Sequence, residues 1–503
     1  MRTGVSDVRR VEVDPPRRRR LPIVGLVAAP CLAVVVYWCL PAEFVNEAGN
    51  VRHFSVDGRL SLAVMVWMGI WWLSEAVSVE ATALLPLALF PLVGITSMSD
   101  AAAPYASPLI FLFMGGFLLA IAMQGQGLDR RIALLTLRLV GSRPVNLIGG
   151  FMVATAVMSS CVSNTATVAM MIPIGLGITR MADEHYELEA QRRRFKVALM
   201  LGIAYAASIG GLATLIGSPP NGFLAQYAAD NLGVRVTFLD WLVVGLPLTI
   251  VLLPTAWWLL TRWLFPLETD DLEGGAHQIR RQWNELGPMH KGEWVVFSVF
   301  VFTVAAWIGR PLLIRLFPQL TDAGIAIAAG LALFAIPVGW KRSDRVLTWN
   351  DAKHLPWGVL VLFGGGLSLA SAVGDHGVGE FVGSLAGSIS FMPAAVIVVA
   401  ITGGMVFLTE LTSNTASAAT LVPILVAISP SMGLEPHELA VPATLAASCA
   451  FMLPVATPPN AIVFGSGHVT MGEMMRAGIW MNVIATAAIT IVIYGLVLRF
   501  VTV

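Results

Sequence analysis

Charged residues are scarce in this chain of 503 residues: Asp, Glu, Lys and Arg together make up 12% of it, against 56% hydrophobic residues. Soluble proteins carry about 25% charged residues, so the composition excludes a set of soluble domains. The 31 basic residues are balanced by 31 acidic ones, which gives no reason to expect a nucleic-acid partner. The composition therefore predicts a chain that is solvated mainly by lipid.

Cysteine is also rare and forms no metal-binding pattern. The four cysteines stand far apart inside apolar runs, without a CxxC pair or zinc-like spacing; they are Cys31, Cys39, Cys161 and Cys449. They are expected to be buried, small apolar residues.

Apolar runs recur along the whole chain and are long enough to cross a hydrocarbon core of about 30 Å, which takes about 20 helical residues. Eleven runs lie near 21–41, 60–76, 80–97, 107–127, 197–229, 239–264, 294–313, 322–340, 356–374, 438–467 and 477–500. The fold class expected is an all-α polytopic membrane protein with about 11 transmembrane helices. Two further apolar stretches, 144–179 and 391–429, need a separate explanation.

The basic residues predict the orientation of the chain. The arm at residues 1–20 holds seven arginines and is expected to stay in the cytoplasm. With eleven crossings after it, 25 Lys and Arg residues fall on the inner side and six on the outer side. This bias favours a multi-pass protein of the cell membrane with a cytoplasmic N-terminus and an external C-terminus.

The chain contains an internal repeat. LFMGGFLLAIAMQGQGL at 112–128 is matched 250 residues later by LFGGGLSLASAVGDHGV, and Ser-Asn-Thr-Ala at 163–166 recurs at the same offset. GSPPN at 217–221 is matched 239 residues later by ATPPN. Three blocks in the same order indicate two related halves. The first block runs outside to inside and its copy runs inside to outside, so the repeats are inverted, as is characteristic of secondary transporters.

The stretches 144–179 and 391–429 each carry a polar turn inside apolar flanks. The turns, MSSCVSNTAT and FLTELTSNTAS, contain neither the Gly nor the Pro that is usual at surface turns. Two ordinary helices joined at the far surface are the alternative. The pattern favours two re-entrant helical hairpins with tips at mid-depth, where non-helical backbone is tolerated only against protein or a water-filled cavity.

Each half also carries a Pro-Pro-Asn motif inside an apolar run, at 219–221 and 458–460. Two successive prolines remove two backbone donors and clash with the preceding turn, so the helix must open there. A plain kink is the alternative. Interrupted helices at corresponding positions of two halves are the best sequence indication of a transporter's binding site.

The residue types at the two tips and the two interruptions are oxygen ligands. Ser, Asn and Thr side chains and freed carbonyls suit a hard cation such as Na⁺. No Lys or Arg lies in the four segments, so a dianion there has to be balanced by bound cations and by helix N-termini. Glu410 is a charged residue in these otherwise uncharged segments. It is either a functional intramembrane acid or a partner in a structural hydrogen bond.

These features divide the chain into five regions. They are a basic cytoplasmic arm (1–20), a first transmembrane helix with an external loop (21–58), a first repeat (59–265), a cytoplasmic loop (266–293) and a second repeat (294–503). Scaffold helices are expected at 59–143 and 294–390, and a hairpin with a broken helix at 144–265 and 391–503.

Taken together, the motifs resemble the divalent anion:sodium symporter family, the INDY-like carriers of dicarboxylates, citrate and sulfate. The resemblance is carried by the paired Ser-Asn-Thr motifs, GIAYAASIGGLATLIGSPPN at 202–221, TELTSNTAS at 409–417 and CAFMLPVATPPNAIVFGSG at 449–467. It covers roughly residues 60–500. It implies a homodimer in which each protomer moves a transport domain past a static scaffold, as an elevator.

The resemblance also implies two sodium sites and one substrate site. The first sodium site would use Ser159, Ser163, Asn164 and the Gly217 carbonyl, and the second Thr409, Thr412, Asn414 and the Ala456 carbonyl. Thr412 stands where the family often has Ala, a change that a backbone ligand survives. The substrate carboxylates would meet Asn164, Thr165, Ser218, Asn414, Thr415, Thr457 and Pro458.

The expected function is sodium-coupled uptake of a C4-dicarboxylate such as succinate, malate or fumarate, with Na⁺ as the co-transported ion. A sodium-independent dicarboxylate exchanger and a sodium-coupled citrate or sulfate carrier are the alternatives within the family. An enzyme is not expected, because it would need a Ser–His, Asp–Asp or metal-binding constellation at depth, which Glu410 alone does not make. A channel would not predict saturable, ion-dependent counterflow.

Overall fold

The computed structural model describes residues 20–45, 50–141, 143–267, 275–339, 345–386 and 392–493. These residues form 24 α-helices and one antiparallel pair of short strands, β1 (Glu43–Val45) and β2 (Val51–His53). The all-α architecture expected from the sequence is confirmed. Nearly all of the predicted basic arm and part of the predicted cytoplasmic loop lie outside the described residues.

The first twelve helices run from the N-terminal segment through the first broken helix to the helix that follows it. They are α1 (Arg20–Cys39), α2 (Val56–Ser74), α3 (Val79–Thr82), α4 (Leu85–Val93), α5 (Met98–Ala102), α6 (Pro108–Gln126), α7 (Leu128–Val140), α8 (Pro144–Ser159), α9 (Asn164–His185), α10 (Glu189–Leu212), α11 (Pro219–Asn231) and α12 (Phe238–Trp258).

The remaining helices begin with α13, in the predicted cytoplasmic loop, and continue through the second repeat. They are α13 (Gly275–Leu286), α14 (Lys291–Ile308), α15 (Arg310–Leu313), α16 (Asp322–Ala335), α17 (Trp349–Ala352), α18 (Trp357–Asp375), α19 (Val378–Ala386), α20 (Ala394–Thr409), α21 (Asn414–Ile428), α22 (Pro436–Ala447), α23 (Pro458–Gly465) and α24 (Met471–Val492).

Eight helical segments in the described part of the chain are long and apolar enough to cross a membrane. Seven of them contain α2, α6, α10, α12, α14, α18 or α24, and the eighth is α9. Helix α8 has 16 residues, as has α20, and α21 has 15. At 1.5 Å per residue these three are about 24 Å long or less, shorter than a hydrocarbon core of about 30 Å. Their lengths support hairpin arms rather than full crossings, whereas α9, the second arm of the first hairpin, has 22 residues and is long enough to cross.

The internal repeat is visible in the packing. Helix α8 packs against α10 as α20 packs against α22, and α10 packs against α12 as α22 packs against α24. The halves also interlock, because α11 packs against α21 and α23 packs against α9. The interrupted helix of each half therefore lies beside the hairpin of the other half.

The starts of the hairpin and broken helices follow from their first residues. Ser163 and Ser413 are the N-caps of α9 and α21, and each side chain accepts the backbone N–H three residues ahead. Pro219 and Pro458 are the first residues of α11 and α23. A proline is well placed there because the first helical turn has no use for its missing N–H. The predicted opening of both helices at Pro-Pro is found.

The cysteine prediction is wrong for two of the four residues. Cys449 is buried and Cys161 is partly buried, but Cys31 and Cys39 are exposed on α1. Large apolar residues of α1, such as Val27 and Val34, are exposed as well. An apolar helix on the outside of the protein is covered by lipid rather than by protein, so apolar flanks around a cysteine do not predict a protein interior.

A buried ion pair ties α7, which leads into the first hairpin, to α14. The Nε atom of Arg131 lies 2.7 Å from Oε1 of Glu293, and its Nη2 lies 3.1 Å from Oε2. The side chains are only 8% and 3% exposed. The Arg131 Nη1 atom also donates to the Gly287 carbonyl at 3.0 Å, and the guanidinium lies over the Trp283 ring. Helix α7 is thus fixed to the second half.

We expect Glu293→Ala to destabilise the protein by about 3–5 kcal/mol, because it leaves the Arg131 charge buried without its partner. Thermal unfolding of the purified protein in detergent should show a fall in Tm. The matched control is Glu285→Ala, which breaks the exposed pair of Arg281 and Glu285 and should change stability by no more than about 1 kcal/mol. Equal effects of the two variants would contradict a special role for the buried pair.

Candidate functional site

Four short non-helical segments make up the candidate site. The first tip, residues 160–163, joins α8 to α9, and the second tip, residues 410–413, joins α20 to α21. The first break, residues 213–218, separates α10 from α11, and the second break, residues 448–457, separates α22 from α23. The crossed packing of α11 on α21 and of α23 on α9 brings tips and breaks together. The sequence predicted all four places.

The first tip and first break present a group of oxygen atoms. Ser159 is fully buried at the end of α8, and its Oγ lies 2.6 Å from Asn164 Oδ1 and 2.8 Å from the Ala207 carbonyl oxygen. A Cβ on Gly211 would lie 2.9 Å from Asn164 Oδ1 and 3.0 Å from the Gly217 carbonyl oxygen. The carboxamide and this carbonyl therefore converge on Gly211. Three of the four predicted ligands of the first sodium site are thus neighbours.

The fourth predicted ligand of the first site, Ser163, has a helix-capping role in the structure. Its side-chain oxygen accepts the Ala166 N–H at 3.3 Å, and the residue is exposed. A hydroxyl oxygen has two lone pairs, so capping leaves one of them free. Its part in cation binding stays a prediction.

The second tip holds hydroxyls that donate to backbone carbonyls. Thr409 Oγ1 donates to the Val406 carbonyl at 3.1 Å, which leaves its lone pairs available. Thr412 Oγ1 donates to the Leu408 carbonyl at 3.0 Å when the Ser417 hydroxyl, 2.7 Å away, donates to it, which leaves one lone pair available. The Oδ1 atom of Asn414 is buried and has no hydrogen-bond partner among the described residues. An unpaired buried acceptor is costly, unless a cation or a substrate completes it.

The predicted substrate residues stand at the starts of four helices. Asn164 and Asn414 are the first residues of α9 and α21 and are followed by Thr165, which is exposed, and Thr415, which is 8% exposed. Ser218 and Thr457 are the N-caps of α11 and α23. Pro458 follows and is exposed. The N-termini of α9 and α21 carry backbone N–H groups that suit an anion. Helices α11 and α23 begin with two prolines, which have no N–H, and contribute only the positive end of the helix dipole.

A hydrogen bond links the two breaks directly. Ser218 Oγ lies 2.7 Å from Ser448 Oγ, and both side chains are buried. One residue belongs to the first half and the other to the second. The two halves of the candidate site therefore touch.

The asparagines of the two Pro-Pro-Asn motifs hold the breaks in shape. Asn221 Nδ2 donates to the carbonyls of Gly211 at 3.0 Å and Thr214 at 2.9 Å. Asn460 Nδ2 donates to the carbonyls of Ala450 at 3.3 Å and Leu453 at 3.1 Å. The two pairs of acceptors correspond at the offset of 239 residues.

The two asparagines satisfy carbonyls that the opened helices leave free. Neither was among the predicted site residues, although the repeated Pro-Pro-Asn motif was the signal that marks them.

Glu410 makes structural hydrogen bonds, as one of the two sequence-based interpretations held. The side chain is 1% exposed, and Oε1 accepts the N–H groups of Phe451 at 2.7 Å and Met452 at 2.8 Å. The Leu453 N–H donates to Oε2 at 2.8 Å, and Asn482 Nδ2 donates to Oε1 at 2.8 Å. The carboxylate joins the second tip to the second break and to α24.

Comparison with known proteins assigns a family to this arrangement. The sequence profile described as the sodium:sulfate symporter transmembrane region matches residues 31–501. The sodium-dependent dicarboxylate transporter SdcS of Staphylococcus saprophyticus is 40% identical over 482 residues, 94% of this chain and 91% of that protein. SdcS of a Staphylococcus aureus strain is 41% identical over 479 residues, 94% and 90% of the two chains.

Two solved structures share the fold at low sequence identity. The YdaH transporter of Alcanivorax borkumensis aligns with a TM-score of 0.58 at 13% identity, covering 95% of this chain and 98% of that one. MtrF of Neisseria gonorrhoeae, described as one of a class of antimetabolite efflux pumps, aligns with a TM-score of 0.56 at 11% identity, covering 95% of each chain. At these identities the likeness concerns the fold alone.

Proposed function

Because the chain belongs to the sodium:sulfate symporter family, we propose that it is a secondary transporter that takes up C4-dicarboxylates together with Na⁺. It is a multi-pass membrane protein of that family, not an enzyme. Curated relatives at 40–41% identity are named sodium-dependent dicarboxylate transporters. The observation that carries the proposal is the meeting of two tips and two breaks built from uncharged oxygen donors and helix N-termini.

Sodium binding follows from the hydroxyl and carboxamide oxygens. Ser159 Oγ and Asn164 Oδ1 are only 2.6 Å apart, with the Ser159 hydroxyl as the donor. When that hydroxyl donates to the Ala207 carbonyl instead, 2.8 Å away, lone pairs of both oxygens become available to a cation. At the second tip, Thr409, Thr412 and Asn414 supply the corresponding oxygens with the Ala456 carbonyl. Oxygen ligands of this kind suit a hard monovalent cation.

Dianion binding follows from the helix N-termini and the bound cations. Each carboxylate of a C4-diacid meets one tip, with Asn164 and Thr165 on one side and Asn414 and Thr415 on the other. Ser218, Thr457 and Pro458 lie alongside at the breaks. Without a Lys or Arg in these segments, a dianion is poorly compensated until cations arrive, because burying an unpaired charge is costly. Coupling of the two cargoes follows from this charge balance.

We also propose an elevator movement by a homodimer, with a cytoplasmic N-terminus and an external C-terminus. Both hairpins and both broken helices pack on one another, so they can move as one body against the scaffold helices. Half-depth hairpin tips fit the short arms α8, α20 and α21. Light scattering of the purified protein in detergent tests the dimer: a monomer mass would contradict it.

We expect succinate uptake into proteoliposomes to rise strongly with an inward Na⁺ gradient, because Na⁺ supplies the positive charge that the site lacks. The measurement is initial uptake of labelled succinate with external NaCl or with choline chloride at the same ionic strength. Equal uptake in the two salts would reject symport.

Two arms of the same experiment separate the alternatives. Counterflow driven by internal dicarboxylate in the absence of Na⁺ would establish an exchanger. Competition by citrate or sulfate at lower concentrations than succinate would show that one of those anions is the preferred cargo. Proteoliposomes with Asn231→Ala serve as the control for substitution as such, and their uptake should match wild type. Asn231 is the last residue of α11, at the far end of the helix from the break.

A further inference from the structure

The two halves of the site make the same contact between tip and break with different chemistry. Ser160 and Glu410 correspond at the offset of 250 residues, and Thr214 and Leu453 correspond at the offset of 239. In the first half the Thr214 hydroxyl donates to the Ser160 carbonyl. In the second half the Leu453 N–H donates to Oε2 of Glu410 at 2.8 Å. A neutral contact in one half is a carboxylate contact in the other.

The surroundings of Glu410 are those of an ionised carboxylate. All four groups that it contacts are donors: three consecutive backbone N–H groups, from Phe451 to Leu453, and the Asn482 side-chain amide. A carboxylate only accepts, whereas a protonated acid also needs an acceptor. Hydrogen bonds from several donors to one anion are short and strong, and all four here lie between 2.7 and 2.8 Å.

This carboxylate is joined by chain and by hydrogen bond to residues that carry the proposed second cation site. Glu410 directly follows Thr409 in the chain. Leu453, whose amide it accepts, begins the turn that the Ala456 N–H closes onto the Leu453 carbonyl at 3.2 Å, and Ala456 supplies a proposed carbonyl ligand. The corresponding turn in the first break, from Thr214 to Gly217, is closed in the same way at 3.3 Å. The two breaks therefore share the same backbone turn, but only the second has a carboxylate bound to it.

We propose that Glu410 is a positioning residue that makes the second cation site the tighter of the two, so that the two sites differ in their affinity for Na⁺. The inference rests on the proposed function. It follows from electrostatics, since a fixed negative charge in a low-dielectric interior strongly favours a nearby cation. A cation at the second site gives a neutral unit with Glu410. A cation at the first site remains uncompensated until the dianion arrives, so those two bind together.

The test is a Na⁺ titration of purified protein in detergent, with and without succinate, in a choline background of constant ionic strength. Tryptophan fluorescence and Tm report binding, because a ligand of the native state raises Tm with its occupancy. Wild-type protein should show two phases: a tight one that succinate does not alter, and a weaker one that succinate shifts to lower Na⁺ concentrations. A single phase that depends wholly on succinate would overturn the inference.

Two substitutions at one position separate charge from shape. Glu410→Gln keeps the size but removes the charge and should raise the Na⁺ concentration of the tight phase about tenfold, as expected for a group just outside the ligand sphere. Glu410→Asp keeps the charge and should restore most of that affinity, to within about threefold of wild type. A loss in Glu410→Asp without a loss in Glu410→Gln would show that the shape of the side chain matters and its charge does not, and no loss in either would remove Glu410 from the cation site; both outcomes overturn the inference.

The mirror position supplies the matched control. Thr214→Val removes the neutral contact to Ser160 and should shift the succinate-linked phase while leaving the tight phase within about twofold of wild type; a shift of the tight phase instead would reverse the assignment and overturn the inference. If Glu410→Gln does not fold, the Na⁺ titrations of wild type, Glu410→Asp and Thr214→Val still show whether the second cation site is the tighter one. Absence of any Na⁺ effect on wild-type binding and uptake would instead contradict the proposed function.

Discussion

Alanine at Asn164 or at Asn414 is expected to reduce sodium-driven succinate uptake to about 1% of the wild-type rate or less. Each carboxamide is proposed to serve both a cation and a substrate carboxylate. Hydrogen bonds to charged groups contribute about 1.5–3 kcal/mol each, so losing two corresponds to at least about 100-fold. The measurement is the initial rate of uptake in proteoliposomes with matched protein content.

The folded state should tolerate both changes. Ser159 keeps the Ala207 carbonyl as a partner when Asn164 is removed, and Asn414 Oδ1 has no partner to lose among the described residues. Alanine also favours a helix more than asparagine does. Size-exclusion profiles and Tm should therefore match wild type, and Asn231→Ala should transport normally. Wild-type uptake by both site variants would remove the site assignment, whereas loss of folding would leave Thr165→Val and Thr415→Val to test it.

The second large effect is expected from one added methyl group at Gly211. A Cβ there would lie 2.9 Å from Asn164 Oδ1 and 3.0 Å from the Gly217 carbonyl oxygen, closer than such atoms normally approach, so Gly211→Ala must push the proposed ligands apart. We expect the Na⁺ concentration for half-maximal uptake to rise between about 10- and 100-fold, with a smaller effect on the succinate concentration dependence at saturating Na⁺.

Gly404→Ala is the matched control for this substitution. Gly404 lies in α20 of the second hairpin, and a Cβ there meets no atom within 4 Å. It should leave the Na⁺ dependence unchanged and, being a helix position, should stabilise the protein slightly. An unchanged Na⁺ dependence in Gly211→Ala would show that the pocket between first tip and first break does not hold a cation.

Much of the fold could be predicted from the sequence because a small number of physical constraints limits the structures that can cross a membrane. Runs of about 20 apolar residues predict crossings, and α2, α6, α10 and α18 overlap such runs in the structure. The Pro-Pro pairs predicted the breaks because proline chemistry is local. The exposure of Cys31 and Cys39 could not be predicted, since apolar sequence alone does not distinguish a lipid-facing helix from a core.

The site was predictable as a set of places but not as a network. The tips and breaks followed from the repeat, and the family resemblance named their ligands. The roles of Asn221 and Asn460 required coordinates, because each asparagine spans a gap of seven and ten residues along the chain to satisfy two carbonyls. The partners of Glu410 also required coordinates, because Asn482 is 72 residues away.

Each tip is only four residues long and is held by helix caps and backbone contacts on both sides. An arriving diacid therefore meets walls that are already ordered, and little flexibility is lost on its capture. Such walls cannot refold around a cargo of a different size. Selection should then act on the separation of the two carboxylates, so that diacids one or two carbons longer are refused while changes at the middle carbons are accepted.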